Sequence, residues 1–222
     1  MELLNYFIKV IPFMLSGMKT TLALGVVTIL FSLPLGFLTT MGIRSRFKPL
    51  SWLLESYIYV MRGTPLMLQL MFLYYSLPYA PLIGKLFTMN RFMAASVAFI
   101  LNYAAYFAEI FRGGFLAVPK GQYEACQVLG LNRWQTMIRV IMPQMFRVAL
   151  PSISNETITL VKDTALAYVI ALPEIMHAAK AAVSRDAVPT PYLFAAALYL
   201  LMTFVLTLIF KKLEQRYRLQ EK

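Results

Sequence analysis

The chain has 222 residues, of which 59% are hydrophobic and 14% charged, with a mean hydropathy of +0.65. Soluble domains carry roughly 45–50% apolar and about 25% charged residues, so both departures point to one membrane domain spanning residues 1–222. The net charge of +11 comes from Lys and Arg in short segments between apolar runs, the pattern of cytoplasmic loops rather than the gathered basic face of a nucleic-acid binder.

Residues 1–24 lack a basic n-region and an A-x-A pattern, so they read as a lead-in to the first span rather than a signal peptide. A spanning helix needs about 20 apolar residues, and five segments meet that length. The first, about 20–41, is preceded by ELLNYFIKVIPFML, which lies in the interface or extends the helix, and is closed by Arg44, Arg46 and Lys48. The second, about 51–77, contains Arg62-Gly63-Thr64-Pro65. Pro removes a backbone donor and Gly loosens a helix, so a break or kink is expected there. After a Pro- and Gly-containing loop at 78–90, the third span, about 92–111, carries Asn102 and Glu109. The fourth, about 149–172, carries Glu156, Lys162 and Asp163, and a loop at 173–191 leads to the fifth, about 192–210.

Thirteen Lys and Arg fall in the loops after spans one and three and in the C-terminal tail, against six on the opposite side: Lys9, Lys19, Lys85, Arg91, Lys180 and Arg185. The positive-inside rule therefore puts the C-terminus in the cytoplasm and the N-terminus outside. Five spans require ends on opposite sides.

Between spans three and four lies a polar, basic interruption, Lys120–Gln144, inside a loop of about 117–146. Gln122–Leu129 can form two helical turns, Gly130 can end them in the left-handed conformation, and Asn132 can cap a second short helix from Arg133. With Tyr123, Leu129 and Trp134 this makes a compact knob. The residues alone equally allow an amphipathic loop lying on lipid headgroups.

The stretch EACQVLGLNRWQTMIRVIMP resembles the EAA signature of ATP-binding-cassette (ABC) importer permeases, with Glu124, Ala125, Gly130 and Pro143 in register. Cys126, Val140 and Met142 depart from it by small or apolar replacements. RGTPLMLQL, AEIFRGG, GQYEA and VKDTAL resemble segments of the permeases of polar amino-acid importers, and the similarity covers nearly the whole chain. The resemblance implies an all-α membrane protein of the type I ABC importer permease fold. It makes the EAA loop a coupling helix that docks on an ATPase through Glu124, Ala125 and Gly130, with Tyr123 and Trp134 beside them. It also implies two ATPase copies carrying ATP and Mg, a second permease copy or homologue, a periplasmic or surface-tethered amino-acid-binding protein, and a bacterial inner-membrane location.

Ionisable side chains inside a span usually face a bundle interior or a watered cavity. Glu156 and Asp163 are seven residues apart, about two turns and roughly 10 Å along the axis, so they share one helix face. Two carboxylates there suit a cation or the ammonium group of a zwitterion. Alternatively, Asp163 bridges to Arg62 or Lys162 and holds the bundle together. Thr64, Gln69 and Asn102 can hydrogen-bond a carboxylate or amide, and the Gly63–Pro65 break frees backbone groups beside them. For Asn102 an interhelical bond is the competing role. Lys162, about 100° round the helix from Asp163, can pair elsewhere, for instance with Glu109. The resemblance implies a cavity lined by spans two, three and four.

With a single cysteine and a single histidine, Cys126 and His177, neither an intrachain disulfide nor a Cys/His metal cluster is expected. His177 reads as a surface residue, and the scattered methionines as packing. No G-x-x-x-x-G-K-[ST] occurs, so no P-loop nucleotide site is expected in this chain. The resulting expectation is a transport component rather than an enzyme: a permease for cationic amino acids or glutamine, switched by a separate ATPase. The alternative is an ATP-independent transporter or channel, which leaves the Lys120–Gln144 stretch without a role.

Overall fold

A computed structural model describes residues 2–81, 84 and 88–217 of the chain, with side chains from Val10 onward. Met1, Lys85, Arg218 and Lys222, used in the lead-in and orientation arguments, lie outside the described residues, as does the side chain of Lys9. Among the described residues every regular element is a helix.

Helix α1 (Glu2–Ile43) joins the lead-in and the first expected span in one element. α2 (Lys48–Gly63) stops at Thr64, whose extended backbone (φ −117°, ψ 145°) is what a residue before proline prefers. α3 (Leu66–Met71) restarts the segment and runs on through a π-turn, Phe72–Ser76, and a 3-10 turn, Leu77–Tyr79. α4 (Arg91–Ala117) is capped by the Asn90 side chain, which accepts from the Met93 amide. α5 (Lys120–Val128) leads to α6 (Arg133–Gln135), a π-turn (Thr136–Ile141) and α7 (Met142–Asp163). A 3-10 stretch, Thr164–Ile170, then α8 (Ile175–Asp186) and α9 (Thr190–Tyr217) complete the chain.

Among the described residues, three helices are long and apolar enough to cross a membrane: Val10–Ile43, Arg91–Ala117 and Thr190–Tyr217. The stretch Arg133–Ile170 with α8, bent by 51°, makes a fourth if the pair is one span. The second expected segment is divided at Arg62–Pro65 and does not form one uninterrupted helix. Two local expectations are corrected. The helix capped by Asn132 is not a separate short one but runs straight on into α7. The wide turn at Thr136–Ile141 comes just before Pro143, which has no N–H to give the preceding turn. The 173–191 loop contains α8, whose Ala178, Ala179 and Ala182 form a buried small-residue face.

Close approach of α1 and α4 builds the centre. α1 presents Thr28, Ser32, Gly36 and Thr40 at four-residue spacing, and α4 answers with Ala94, Ala95, Ala98, Ala104, Ala105 and Ala108, all buried. Small residues let membrane helices approach closely and gain dispersion contact. A Cβ on Gly36 would lie 2.8 Å from both the Ala104 carbonyl oxygen and Phe107 Cβ. Thr40 Oγ1 donates across the seam to the Ala108 carbonyl at 2.9 Å. Phe37, Phe111 and Phe146 interlock α1, α4 and α7, with centroids 5.6–5.8 Å apart. α9 packs on α7 and α8 and leaves Leu193, Leu200, Leu201 and Phe204 exposed, as a lipid-facing or subunit-facing helix does.

The basic loops gather at one end of this bundle. Arg44, after α1, lies 4.4 Å above the Phe115 ring near the end of α4, while Arg147 of α7 and Lys211 of α9 line a common pocket. At the other end, Arg91 lines a pocket with Thr20 and Pro173. Glu174, fully buried, accepts from the amides of Met176 and His177 and from Tyr199 Oη, capping α8 against α9.

Candidate functional site

The break in the second segment is the origin of the site. Where α2 stops, the carbonyls of Met61 and Thr64 lose their helical partners, and in an apolar medium such groups must find donors. Gln69 Nε2 supplies them, donating to Met61 O (2.9 Å), Thr64 O (3.1 Å) and Thr64 Oγ1 (2.7 Å). Asn102 Nδ2 on α4 donates to the same Met61 O at 2.9 Å and to Gln69 Oε1 at 3.0 Å. Thr64, Gln69 and Asn102 are thus brought together as a brace that holds the break open.

Facing the brace is a cavity of about 590 Å³ lined by Arg62 to Leu66, Asn102, Tyr103, Tyr106, Glu156, Thr159, Asp163 and Leu166. It draws on the α2–α3 break, α4 and α7, the three expected spans. Glu156 and Asp163 both open onto it, half-buried. Thr64 and Asn102 also line it, whereas Gln69 stands behind them. Asp163 accepts a 2.7 Å hydrogen bond from Tyr103 Oη, so its partner is neither Arg62 nor Lys162. Glu156 has no hydrogen-bond partner among the described residues. Lys162 is exposed and absent from the lining. Its suggested pairing with Glu109 does not occur, because Glu109 is taken by Arg112 (2.6 and 3.0 Å) and Arg62 (3.5 Å). Sequence reasoning missed Tyr103, Tyr106 and Thr159. Asn102, Tyr103 and Tyr106 lie on one face of α4 at helical spacing, the signal that was available.

The second candidate region is the knob at the basic end. α5 ends with Gly130 at φ +71°, and Asn132 and Gln135 exchange side-chain and backbone hydrogen bonds as a capping box. Glu124, Ala125, Gly130 and Trp134 are exposed, Tyr123 packs partly against the core, and Cys126 is buried. Val128, Leu129 and Trp134 are 88%, 76% and 73% exposed, large apolar side chains open to a partner surface. Gln144 Nε2 donates to Gln122 Oε1 at 3.0 Å and ties α5 to α7.

Residues 32–219 match the family model described as "Binding-protein-dependent transport system inner membrane component". The chain belongs to that family. As an ABC importer permease it is a transport component rather than an enzyme, and its family works with an ATPase and a substrate-binding protein. It is 39% identical over 209 residues to the arginine transport system permease protein ArtQ of Bacillus subtilis (strain 168), covering 94% of each chain. It is 36% identical over 207 residues to the L-cystine transport system permease protein TcyB of the same organism, covering 92% of this chain and 86% of that one. Its fold matches the crystal structure of an amino acid ABC transporter with histidines at a TM-score of 0.85 and 33% identity, covering 95% of this chain and 96% of that one. For an importer permease, a helix broken beside an acidic cavity and an exposed apolar knob at the basic end are the two features that need partners.

Proposed function

We propose that this permease moves polar amino acids, cationic ones or glutamine, through the cavity at the α2–α3 break, with Glu156 and Asp163 as the ligands of the positive group. Thr64 and Asn102 supply polar contacts at its rim, and Gln69 holds them in place. The observation that carries this reading is the pair of carboxylates opening onto one cavity beside a helix break. Half-helix ends and freed backbone groups at mid-membrane are how transporters bind charged substrates.

Two ATPase copies, holding ATP and Mg that this chain does not bind, dock on the knob through Tyr123, Glu124, Ala125, Gly130 and Trp134. The working unit pairs this chain with a second permease copy or homologue, supplied from outside by an amino-acid-binding protein. Five spans, with the N-terminus outside and the C-terminus in the cytoplasm of a bacterial inner membrane, fit the gathering of basic residues at one end. ATP binding shifts the cavity between inward and outward access because the ATPase favours one permease conformation.

Two substitutions test this. Glu156→Gln removes a charge-assisted contact of about 1.5–3 kcal/mol, so uptake of arginine falls roughly tenfold or more while glutamine uptake changes little. Equal loss of both refutes the ligand role. Glu124→Lys leaves the chain in the membrane and detaches or uncouples the ATPase, read as co-purification and substrate-stimulated ATP hydrolysis. Unaided transport by the purified chain refutes the coupling.

A further inference from the structure

We propose that Arg62 is a tethered stand-in for a cationic substrate, neutralising the carboxylates of the empty cavity and retreating to Glu109 when an amino acid with a positive side chain enters. This rests on the reading of Glu156 and Asp163 as substrate ligands.

Arg62 sits at a partition. It lines the 590 Å³ cavity with Glu156 and Asp163, and also a second cavity of about 530 Å³ formed with Glu55, Tyr59, Glu109 and Arg112. In the structure its guanidinium leans to the second side, with Nη1 3.5 Å from Glu109 Oε2. That tether is loose. Glu109 already holds Arg112 through two bonds, at 3.0 and 2.6 Å, so it stays neutralised if Arg62 leaves. Arg62 is 42% exposed and stacks at 5.3 Å on Tyr106, a ring that itself lines the substrate cavity. Its backbone lies in the last turn of α2, one residue before that helix ends at Gly63.

On the cavity side there is a place for it. Glu156 has no hydrogen-bond partner among the described residues, lines the same cavity as Arg62 and lies within its electrostatic reach. Two carboxylates facing a cavity in the membrane are costly without a cation. Lys162, the nearest other candidate, is exposed outside the lining. Lys162 acts on Asp163 from outside the lining, so among the described residues Arg62 is the cation that lines the cavity, and whatever binds at Glu156 must displace it. A cationic side chain replaces its charge, whereas a neutral zwitterion does so less completely. Because the competent state is only part of the population, apparent affinity is scaled down by the fraction of molecules in which Arg62 is away from the carboxylates.

The test titrates arginine, and separately glutamine, into the intact permease–ATPase complex in detergent, without the external binding protein. Arg62→Gln is expected to tighten arginine binding by roughly five- to tenfold and glutamine binding less, while Arg62→Lys stays near the unsubstituted affinity. Glu109→Gln releases the tether, so it weakens arginine binding in the parent and has no effect in the Arg62→Gln background. Looser or unchanged arginine binding in Arg62→Gln, or an equal effect of Glu109→Gln in both backgrounds, overturns the proposal. Glu156→Gln separates the two layers: unchanged arginine binding there, or none by the parent complex, sinks the cavity reading itself.

Discussion

Glu156 and Asp163 share a helix face but are held differently. Asp163 is fixed by Tyr103 Oη at 2.7 Å, whereas Glu156 is free of hydrogen bonds within the described chain. In the proposed ligand role, the fixed carboxylate orients the substrate and the free one follows the charge that arrives. Gln69 shows the same division between contact and support. Its amide serves three oxygens of the break and never reaches the cavity wall. Gln69→Leu leaves the Thr64 carbonyl without a donor and strips one from Met61, at a cost of about 1–3 kcal/mol per group left unsatisfied. The expected result is a lower unfolding temperature in detergent and reduced uptake of every substrate, without a change in selectivity. A change confined to cationic substrates would instead make Gln69 a ligand.

The elements translate these residues into movement. The helical path that follows the knob runs from Arg133 through the π-turn Thr136–Ile141 into α7 and past Pro151, so in the proposed coupling a push on α5 and the capping box reaches Glu156 and Asp163 along one helical segment. Gly130 is where this lever turns, at φ +71° with open space around it. Any L-residue there costs roughly 1–2 kcal/mol, and a β-branched one more. Gly130→Val should leave membrane insertion intact and lower ATPase co-purification and ATP-coupled uptake together. Intact coupling would show that the turn can be built another way. α8 is an element that hydropathy reading treated as loop. Its helix is licensed by Glu174, whose carboxylate caps two amides from a fully buried position.

At the scale of the molecule, the α1–α4 seam holds the broken segment against α7. At its closest point no side chain fits, since Gly36 has backbone 2.8 Å from where one would begin. Gly36→Leu forces α1 from α4, breaks the Thr40 to Ala108 bond and disturbs the Phe37–Phe111–Phe146 cluster. Overpacking of this kind costs typically about 1–3 kcal/mol, and more where backbone is the neighbour. Fluorescence-detected size-exclusion should show aggregated or poorly expressed protein. Wild-type behaviour would mean that the seam opens in the working cycle.

Composition and apolar length by themselves determined a helical membrane protein, because a continuous apolar run of about 20 residues satisfies its own backbone groups in lipid as a helix, whereas the strands of a barrel are shorter and alternate apolar with polar residues. The positions of Gly130, Asn132 and Pro65 likewise determined local turns, since their φ preferences and missing or added hydrogen bonds act within a few residues. Tertiary structure alone decided which polar groups meet. The spacing of Glu156 and Asp163 put them on one face, yet Tyr103 lies on another helix; Arg112, three residues after Glu109, was a legible partner, but nothing in linear order brings Arg62 to Glu109. The roles of Gln69 and Asn102 were equally hidden. Both read as polar groups in a span, and only the path of the chain across the break shows whose carbonyls they satisfy. α8 was missed for a related reason: its apolar face is made of alanines, too small to raise hydropathy, and its cap is a buried acid whose partner Tyr199 comes from the next helix.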